Sequence, residues 1–195
     1  QEVMTGKKQD LFTVDPAGAG FVVRSKDLQG AFTQYLTNLR AAKDYAGNTE
    51  SSLGNMHDLM TQVKTLSLQA ANSSTDQAAR NAIAKQIGDL QQRFVQETNA
   101  KGSSGQYLFA GQNSGVKPFA LNPAGTALVY GGDTNPVLVE VGPGETMTVN
   151  QELSAQFIQM YSHLETLKGD LASGNVSAIS DVDIANLDQD LIRLR

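Results

Sequence analysis

From Leu28 onward the chain repeats a core-type residue at alternating steps of four and three. The series runs Leu28, Phe32, Tyr35, Leu39, Ala42, Ala46, Thr49, Leu53, Met56, Met60, Val63, Ser67 and Ala70. Eleven of these thirteen positions are apolar and the series never slips, while Gln, Asn, Thr, Lys and Asp fill the flanks. A 3.5-residue repeat sustained this long predicts coiled-coil-like helix packing, because only such a seam keeps these positions facing a partner. If residues 16–72 form one helix, it is roughly 85 Å long at ~1.5 Å per residue. Gly47 and Gly54 each cost about 1 kcal/mol against Ala and mark where a bend or break would fall.

The flanking signals fit the same picture. Asp15 is a good N-cap, and Pro16 suits the first helical position, where a missing N–H costs nothing. The stretch "ANSSTDQ" (71–77) predicts a turn, with Ser74, Thr75 or Asp76 as the next N-cap. A second helix should run to about Asn99 with its seam at Ile83, Ile87, Leu90 and Phe94, antiparallel to the first because the turn is short. Near the C-terminus, Leu153, Phe157, Met160, Leu164, Leu167 and Leu171 keep heptad spacing. "SGN" (173–175) interrupts the series, and Ile184, Leu187, Leu191 and Leu194 resume out of register, which predicts a break or stutter at Gly174. Single-stripe helices must bury their stripes against one another. The expected fold is therefore mainly α with a small β part: an elongated antiparallel helical bundle carrying a short-stranded antiparallel insertion.

Proline and glycine locate that insertion. No proline falls between Pro16 and Pro118, after which Pro118, Pro123, Pro136 and Pro143 follow closely, and half of the 18 glycines lie between Gly102 and Gly144. Here "QYLFA", "ALVY", "VLVEV" and "TMTV" alternate in short runs, which predicts three or four short antiparallel strands, with "GGDTNP" a hairpin turn. In "GQYLFAG", Gly105 and Gly111 should bound a strand with Tyr107 and Phe109 on one face and Leu108 and Ala110 on the other. The domains expected are a helical one of residues 1–104 and 150–195 and a small β-rich one of residues 105–149. The small one should rest on the end of the bundle, since so few residues make no deep core.

Chemistry is poorly supplied. There is no cysteine, which removes disulfides, thiolate nucleophiles and Cys-based zinc sites, and suits a protein that crosses an envelope unfolded. The two histidines, His57 and His163, lie off the seams and read as solvated; His57 and Asp58 are sequence neighbours on different helix faces. Asp181, Asp183, Asp188 and Asp190 flank an apolar seam, the usual solvated face, and lack the spacing of a calcium loop. "GGDTNP" lacks the ending of a phosphate loop. Met56, Met60 and Met160 occupy seam positions as core filler. A net charge of −5 with no basic stripe argues against nucleic acid, and no run of eighteen apolar residues offers a membrane span. We expect no enzyme, no catalytic residue, no metal and no cofactor. The abundant Gln and Asn on the helices suit either plain solubility or lateral packing against copies of the same chain.

Several segments, taken in order, resemble the flagellin superfamily, and within it the hook-associated proteins of the hook–filament junction. "MTGKKQDLFTVDPAGA" resembles the family's Thr-Gly-Lys segment and Asp-Pro-Ala helix start. "TESSLGNMHDLMTQVKTLSLQAANSS" is similar to its shared long helix end, with Asn72 among the matches. "GQYLFAGQNSGVKPF" resembles the junction proteins' Gly-x-Tyr-x-Phe-x-Gly segment leading to Pro118 and Phe119, where filament flagellins carry a different motif. "VDIANLDQDLIRLR" resembles the flagellin-type C-terminal helix. The resemblance implies a structural role, with export through the flagellar secretion channel to the outside of the cell. The partners it implies are copies of the same chain in the junction layer, the preceding hook-associated protein, flagellin subunits and an export chaperone.

The start at Gln1 and a heptad still running at Arg195 lead us to expect a trimmed core fragment, monomeric in solution. Two alternatives stand beside this reading. One is a short filament flagellin. The other is an extracytoplasmic helical-bundle sensor, which would need polar or aromatic ligand contacts where the seams here are aliphatic.

Overall fold

The computed structural model describes residues 16–72 and 74–194. Helix α1 spans Pro16–Ala71 and α2 spans Gln77–Thr98. Strands β1 (Phe119–Leu121), β2 (Leu128–Tyr130), β3 (Leu138–Gly142) and β4 (Glu145–Thr148) follow. Helix α3 (Ser154–Ser173), the short α4 (Val176–Ala178), a π-helical turn (Ile179–Asp183) and α5 (Ile184–Arg193) complete the chain. Among the described residues every helix lies before 105 or after 149, and every strand lies between. Contacts divide the chain differently. One compact unit ends at Ala41 and takes in Val139–Met147, and the other comprises Ala42–Leu138 with Thr148–Arg195.

The second unit is an up-down-up-down bundle, as its cross-links show. Ser52 of α1 donates to the Glu97 carbonyl of α2, while Arg80 of α2 donates back to the Ala70 carbonyl. Gln91 of α2 meets Glu165 of α3, and Gln77 at the start of α2 meets the Leu171 carbonyl near the end of α3. His163 of α3 meets Asp190 of α5, and Lys64 of α1 pairs with Asp188. In each pair of neighbours rising residue numbers meet falling ones, which is antiparallel packing. The shared core holds Met56, Met60, Val63 and Ala70 of α1, Ile83, Ile87, Leu90 and Phe94 of α2, and the α3 seam Phe157, Met160, Leu164, Leu167 and Leu171. Leu153, Leu53 and Leu191 pack on its edge half-buried.

Three features of the helices depart from expectation. First, α1 runs unbroken through Gly47 and Gly54, because the burial of Ser52, Met56, Leu59 and Met60 around them outweighs two weak helix formers. Second, the α1 seam is continuously buried only from Met56 onward, with Ala42 buried before it and Thr49 and Leu53 half-buried. Ala46 within it is exposed, and Leu28, Phe32 and Leu39 are 59%, 61% and 40% exposed. Third, the C-terminal break is two devices rather than one. Gly174 (φ 71°) ends α3 in the left-handed conformation, a π-turn follows at Ile179–Asp183, and the residues turned inward are Ile179, Asp183, Leu187, Asp190 and Leu194. Ile184 and Leu191 are left half-buried.

Asp76 caps α2 by accepting from the Ala79 N–H at 2.7 Å, one of the three residues expected to do so. The proposed cap of α1, Asp15, lies outside the described residues; α1 begins at Pro16. β1 and β2 form one antiparallel hairpin, pairing Phe119 with Tyr130 and Leu121 with Leu128, and β3 pairs with β4 in a second sheet. "GGDTNP" therefore links two hairpins instead of forming one, while Pro143-Gly144 (Gly144 φ 74°) supplies the β3–β4 turn. Within the first unit, Asn38 of α1 donates to the Glu140 carbonyl of β3 at 2.8 Å.

Because a Cβ at Gly47 or Gly54 would meet nothing within 4 Å, both sites accept alanine without a clash. Gly47→Ala and Gly54→Ala should each stabilise the protein by about 0.5–1 kcal/mol in urea unfolding. A loss of stability in either variant would show that α1 is not regular helix at that site.

Candidate functional site

The segment from Asn99 to Asn135 is where the chain leaves the helices, and it is built on three anchors. The first is Asn99, the C-cap of α2. Its amide donates to the Val95 carbonyl at 2.8 Å and its Oδ1 accepts from the Phe119 N–H at 2.9 Å. One side chain thus closes the helix and fixes the start of β1. Leu108 then returns to the same helix end through its N–H to the Ala100 carbonyl at 3.0 Å. Lys101 and Tyr107 form an isolated antiparallel bridge, with the Lys101 ammonium 4.6 Å from the Tyr107 ring centroid. Gly105 (φ 80°) makes the tight turn between them.

The second anchor is aromatic. "GQYLFAG" is not the alternating strand its pattern suggests: beyond Tyr107 it is a succession of turns, so Leu108, Phe109 and Ala110 are all buried and Tyr107 is half-buried. A turn can point consecutive side chains inward, and here one carbonyl does much to hold it, with the Tyr45 hydroxyl of α1 donating to Leu108 O. Phe109 meets Phe157 edge-on at 5.0 Å between centroids, and Phe157 also meets Phe94 at 6.1 Å and Phe119 at 5.7 Å. Phe119 in turn contacts Tyr130 across the hairpin. Pro118 is buried beside them, and its carbonyl accepts from the Gly131 N–H.

The third anchor is Asp133, which sequence reasoning missed. Its carboxylate accepts from the backbone N–H groups of Gln112, Asn113 and Asn135 at 3.1, 2.8 and 2.9 Å. Those backbone donors, Gln112 first, hold its carboxyl below the usual carboxylate range. Its own N–H donates to the Ala110 carbonyl, and its carbonyl accepts from the Tyr130 hydroxyl at 2.7 Å. Burial pushes the Tyr130 phenol up, with Asp133 adding to the effect. Gly111 (φ 66°) is obligatory here, since a Cβ would stand 2.0 Å from the Asp133 carbonyl oxygen. The available signal was the Asp-Thr-Asn order, in which Asp bonds the backbone two residues on.

Other residues singled out in the sequence fall as follows. Asn72 closes the α1–α2 turn, its Oδ1 accepting from the N–H and hydroxyl of Ser74. Met56, Met60 and Met160 are fully buried, as core filler should be. His57 is partly exposed and stands 3.8 Å from Asp58, beyond hydrogen-bond range.

The expectation of solvated carboxylates and a solvated His163 does not hold for three residues. Asp183 and Asp190 lie inside, 2% and 0% exposed, and the His163 Nδ1 lies 2.7 Å from Asp190 Oδ2. Burial pushes the Asp190 carboxyl up, opposed by His163. Asp183 is pushed up to about 6, first by burial and then by the Asp170 carboxylate. Across the α2–α3 interface, buried Gln91 joins Glu165 and Lys168 through bonds of 2.9–3.0 Å. Burial raises Glu165, but the bonds from Lys168 and Gln91 prevail and its carboxyl lies below the ordinary value.

Among the described residues no group of three His, Asp or Glu side chains could hold a metal ion. No helix among them is long and apolar enough to cross a membrane. What the geometry offers is mechanical: a bundle, an aromatic joint, a carboxylate clasp and an uncovered apolar stripe on α1.

Comparison with known proteins agrees with that character. The family model of the bacterial flagellin N-terminal helical region matches residues 1–114. The solved structure of FlgL from Xanthomonas campestris is 30% identical with a TM-score of 0.59, over 64% of this chain and 40% of that one. The flagellar junction protein FlgL from Legionella pneumophila is 25% identical with a TM-score of 0.58, over 71% of this chain and 41% of that one. A putative flagellar hook-associated protein from Vibrio parahaemolyticus shares the fold at 19% identity, with a TM-score of 0.74 over 94% and 87% of the two chains. The chain thus spans about two fifths of the Xanthomonas and Legionella proteins. No curated protein matches it.

Phe109→Ala should cost about 3–5 kcal/mol, the usual range for emptying a ring from a core. Far-UV dichroism should keep its helical signal while the melting temperature falls. An unchanged melting temperature would remove Phe109 from the joint.

Proposed function

This chain belongs to the bacterial flagellin family, and from that premise we propose that it serves as a structural subunit joining the flagellar hook to the filament. The observation that carries the reading is the divided seam of α1. One heptad series supplies both the buried core residues Met56, Met60 and Val63 and the exposed residues Leu28, Phe32 and Leu39. A stripe with coiled-coil spacing and large exposed side chains is a surface made to pack against another helix. In a subunit layer that helix belongs to a neighbouring subunit.

The similarity to FlgL proteins favours the junction over the filament itself. On this reading the partners are copies of the chain, the preceding hook-associated protein on one side and flagellin on the other. Export through the flagellar secretion channel, with a chaperone beforehand, places the protein outside the cell. The role is mechanical and requires no catalytic residue, cofactor or metal.

Complementation of cells lacking their junction protein tests the reading, using the full-length protein. We expect filaments to attach with the unaltered protein and to shed when Leu28→Gln and Phe32→Gln are combined, while the purified variant melts within about 0.5 kcal/mol of the original, as exposed sites allow. Filaments built from this protein with no flagellin present would make it a filament subunit instead. Full attachment with the double variant would mean the exposed stripe has no part in assembly.

A further inference from the structure

The C-terminal part of the bundle buries the carboxylate of Asp183 beside the half-buried Asp170, an acidic pair that helix packing does not require. Asp183 ends the π-turn and is 2% exposed, and its Oδ2 has no hydrogen-bond partner. The side chain within hydrogen-bond reach of it is another carboxylate, that of Asp170 near the end of α3. Two carboxylates have no donor between them, so this contact becomes a bond only when one of the two carries a proton. We propose that Asp183 and Asp170 share a proton and form a latch that fastens the π-turn and α5 to α3, closed when the proton is bound and loosened when it leaves.

The charged groups around the pair have partners of their own. On α3, His163 faces the pair, but its Nδ1 is held by Asp190 at 2.7 Å. Lys168, also on α3, is bound to Gln91 and Glu165. On α5, Arg193 donates to Gln159 and lies 4.0 Å from Asp190. Lys64 of α1 is paired with Asp188. From α2, Gln77 donates to the carbonyls of Leu171 and Ala172, and within the π-turn Asp181 is exposed and adds only negative charge. The Asn175 amide donates to Asp170 Oδ1 at 3.1 Å, which fixes that carboxylate against the turn.

Asp183 is the last residue of a π-helical turn whose first residue, Ile179, is buried as well. Such turns are uncommon and concentrate where a helix has a task. The sign of the pH effect follows from the raised value of Asp183. The folded chain binds this proton more tightly than the unfolded chain does. Stability supplied by the latch is therefore complete below the ordinary carboxylate range and is lost as pH rises through about 6. The proposal is independent of the junction role, since a filament subunit or an isolated bundle would show it equally.

Two measurements on the purified chain test it. Carboxyl-detected NMR titration should place the Asp183 midpoint near 6, and Asp170→Asn should lower that midpoint, because the amide of Asn donates to the carboxylate. An ordinary midpoint near 4 for Asp183 would overturn the latch. Amide exchange in residues 184–193, corrected for intrinsic rates, should quicken roughly ten-fold or more between pH 5 and 7.5. In Asp183→Asn, whose amide can donate to Asp170 at any pH, that quickening should vanish. Equal pH dependence in both proteins would overturn the proposal, and the titration decides the matter should the variant fail to fold.

Discussion

The structure depends on the packing of Phe157. This ring near the start of α3 touches Phe94 at the end of α2, Phe109 in the first loop and Phe119 in β1, so helices, loop and hairpin meet on one side chain. Bundle and β1–β2 hairpin consequently share a core, and that hairpin needs none of its own. Tyr161, one turn further along α3, adds a hydroxyl bond to the Gly125 carbonyl in the β1–β2 loop. The polar anchors then set direction: Asn99 aims the chain out of α2, and Asp133 clasps the returning loop by three backbone N–H groups.

Much of this was legible in the residues. The 3.5-residue repeat gave the right helices and the right core along α2, α3 and the second half of α1, because burial of an apolar stripe decides helix pairing. The grouping of prolines and glycines located the strand-bearing block, and the alternating runs located β2, β3 and β4 but not β1 (Phe119–Leu121). The sequence was misleading where one backbone detail overrides a pattern. "GQYLFAG" has strand-like alternation, yet Gly105 and Gly111 adopt positive φ and fold it into turns. Asp183 and Asp190 were read as solvated flanks, yet Asp183, Leu187, Asp190 and Leu194 follow steps of four, three and four and are buried together. His163 was misread with them, since its partner is the buried Asp190.

The first half of the α1 seam is a different matter. There the spacing predicts a packing surface, and Leu28, Phe32 and Leu39 stand uncovered. Pattern and exposure are consistent if the partner helix belongs to another subunit, which is the physical basis for treating this flagellin-family chain as an assembly component. Inside the bundle Gln91, Glu165 and Lys168 are engaged with one another across the α2–α3 interface.

The most direct test of that claim uses the absence of cysteine from the sequence. A single Phe32→Cys substitution puts a thiol on the exposed stripe, and Lys43→Cys puts one on the exposed polar face of the same helix, in a sequence that otherwise has none. In flagella assembled from the full-length protein, the account predicts that the thiol at position 32 is shielded from a maleimide reagent and cross-links to a neighbouring subunit, while the thiol at position 43 reacts. Free labelling at position 32 in the assembled flagellum would contradict it.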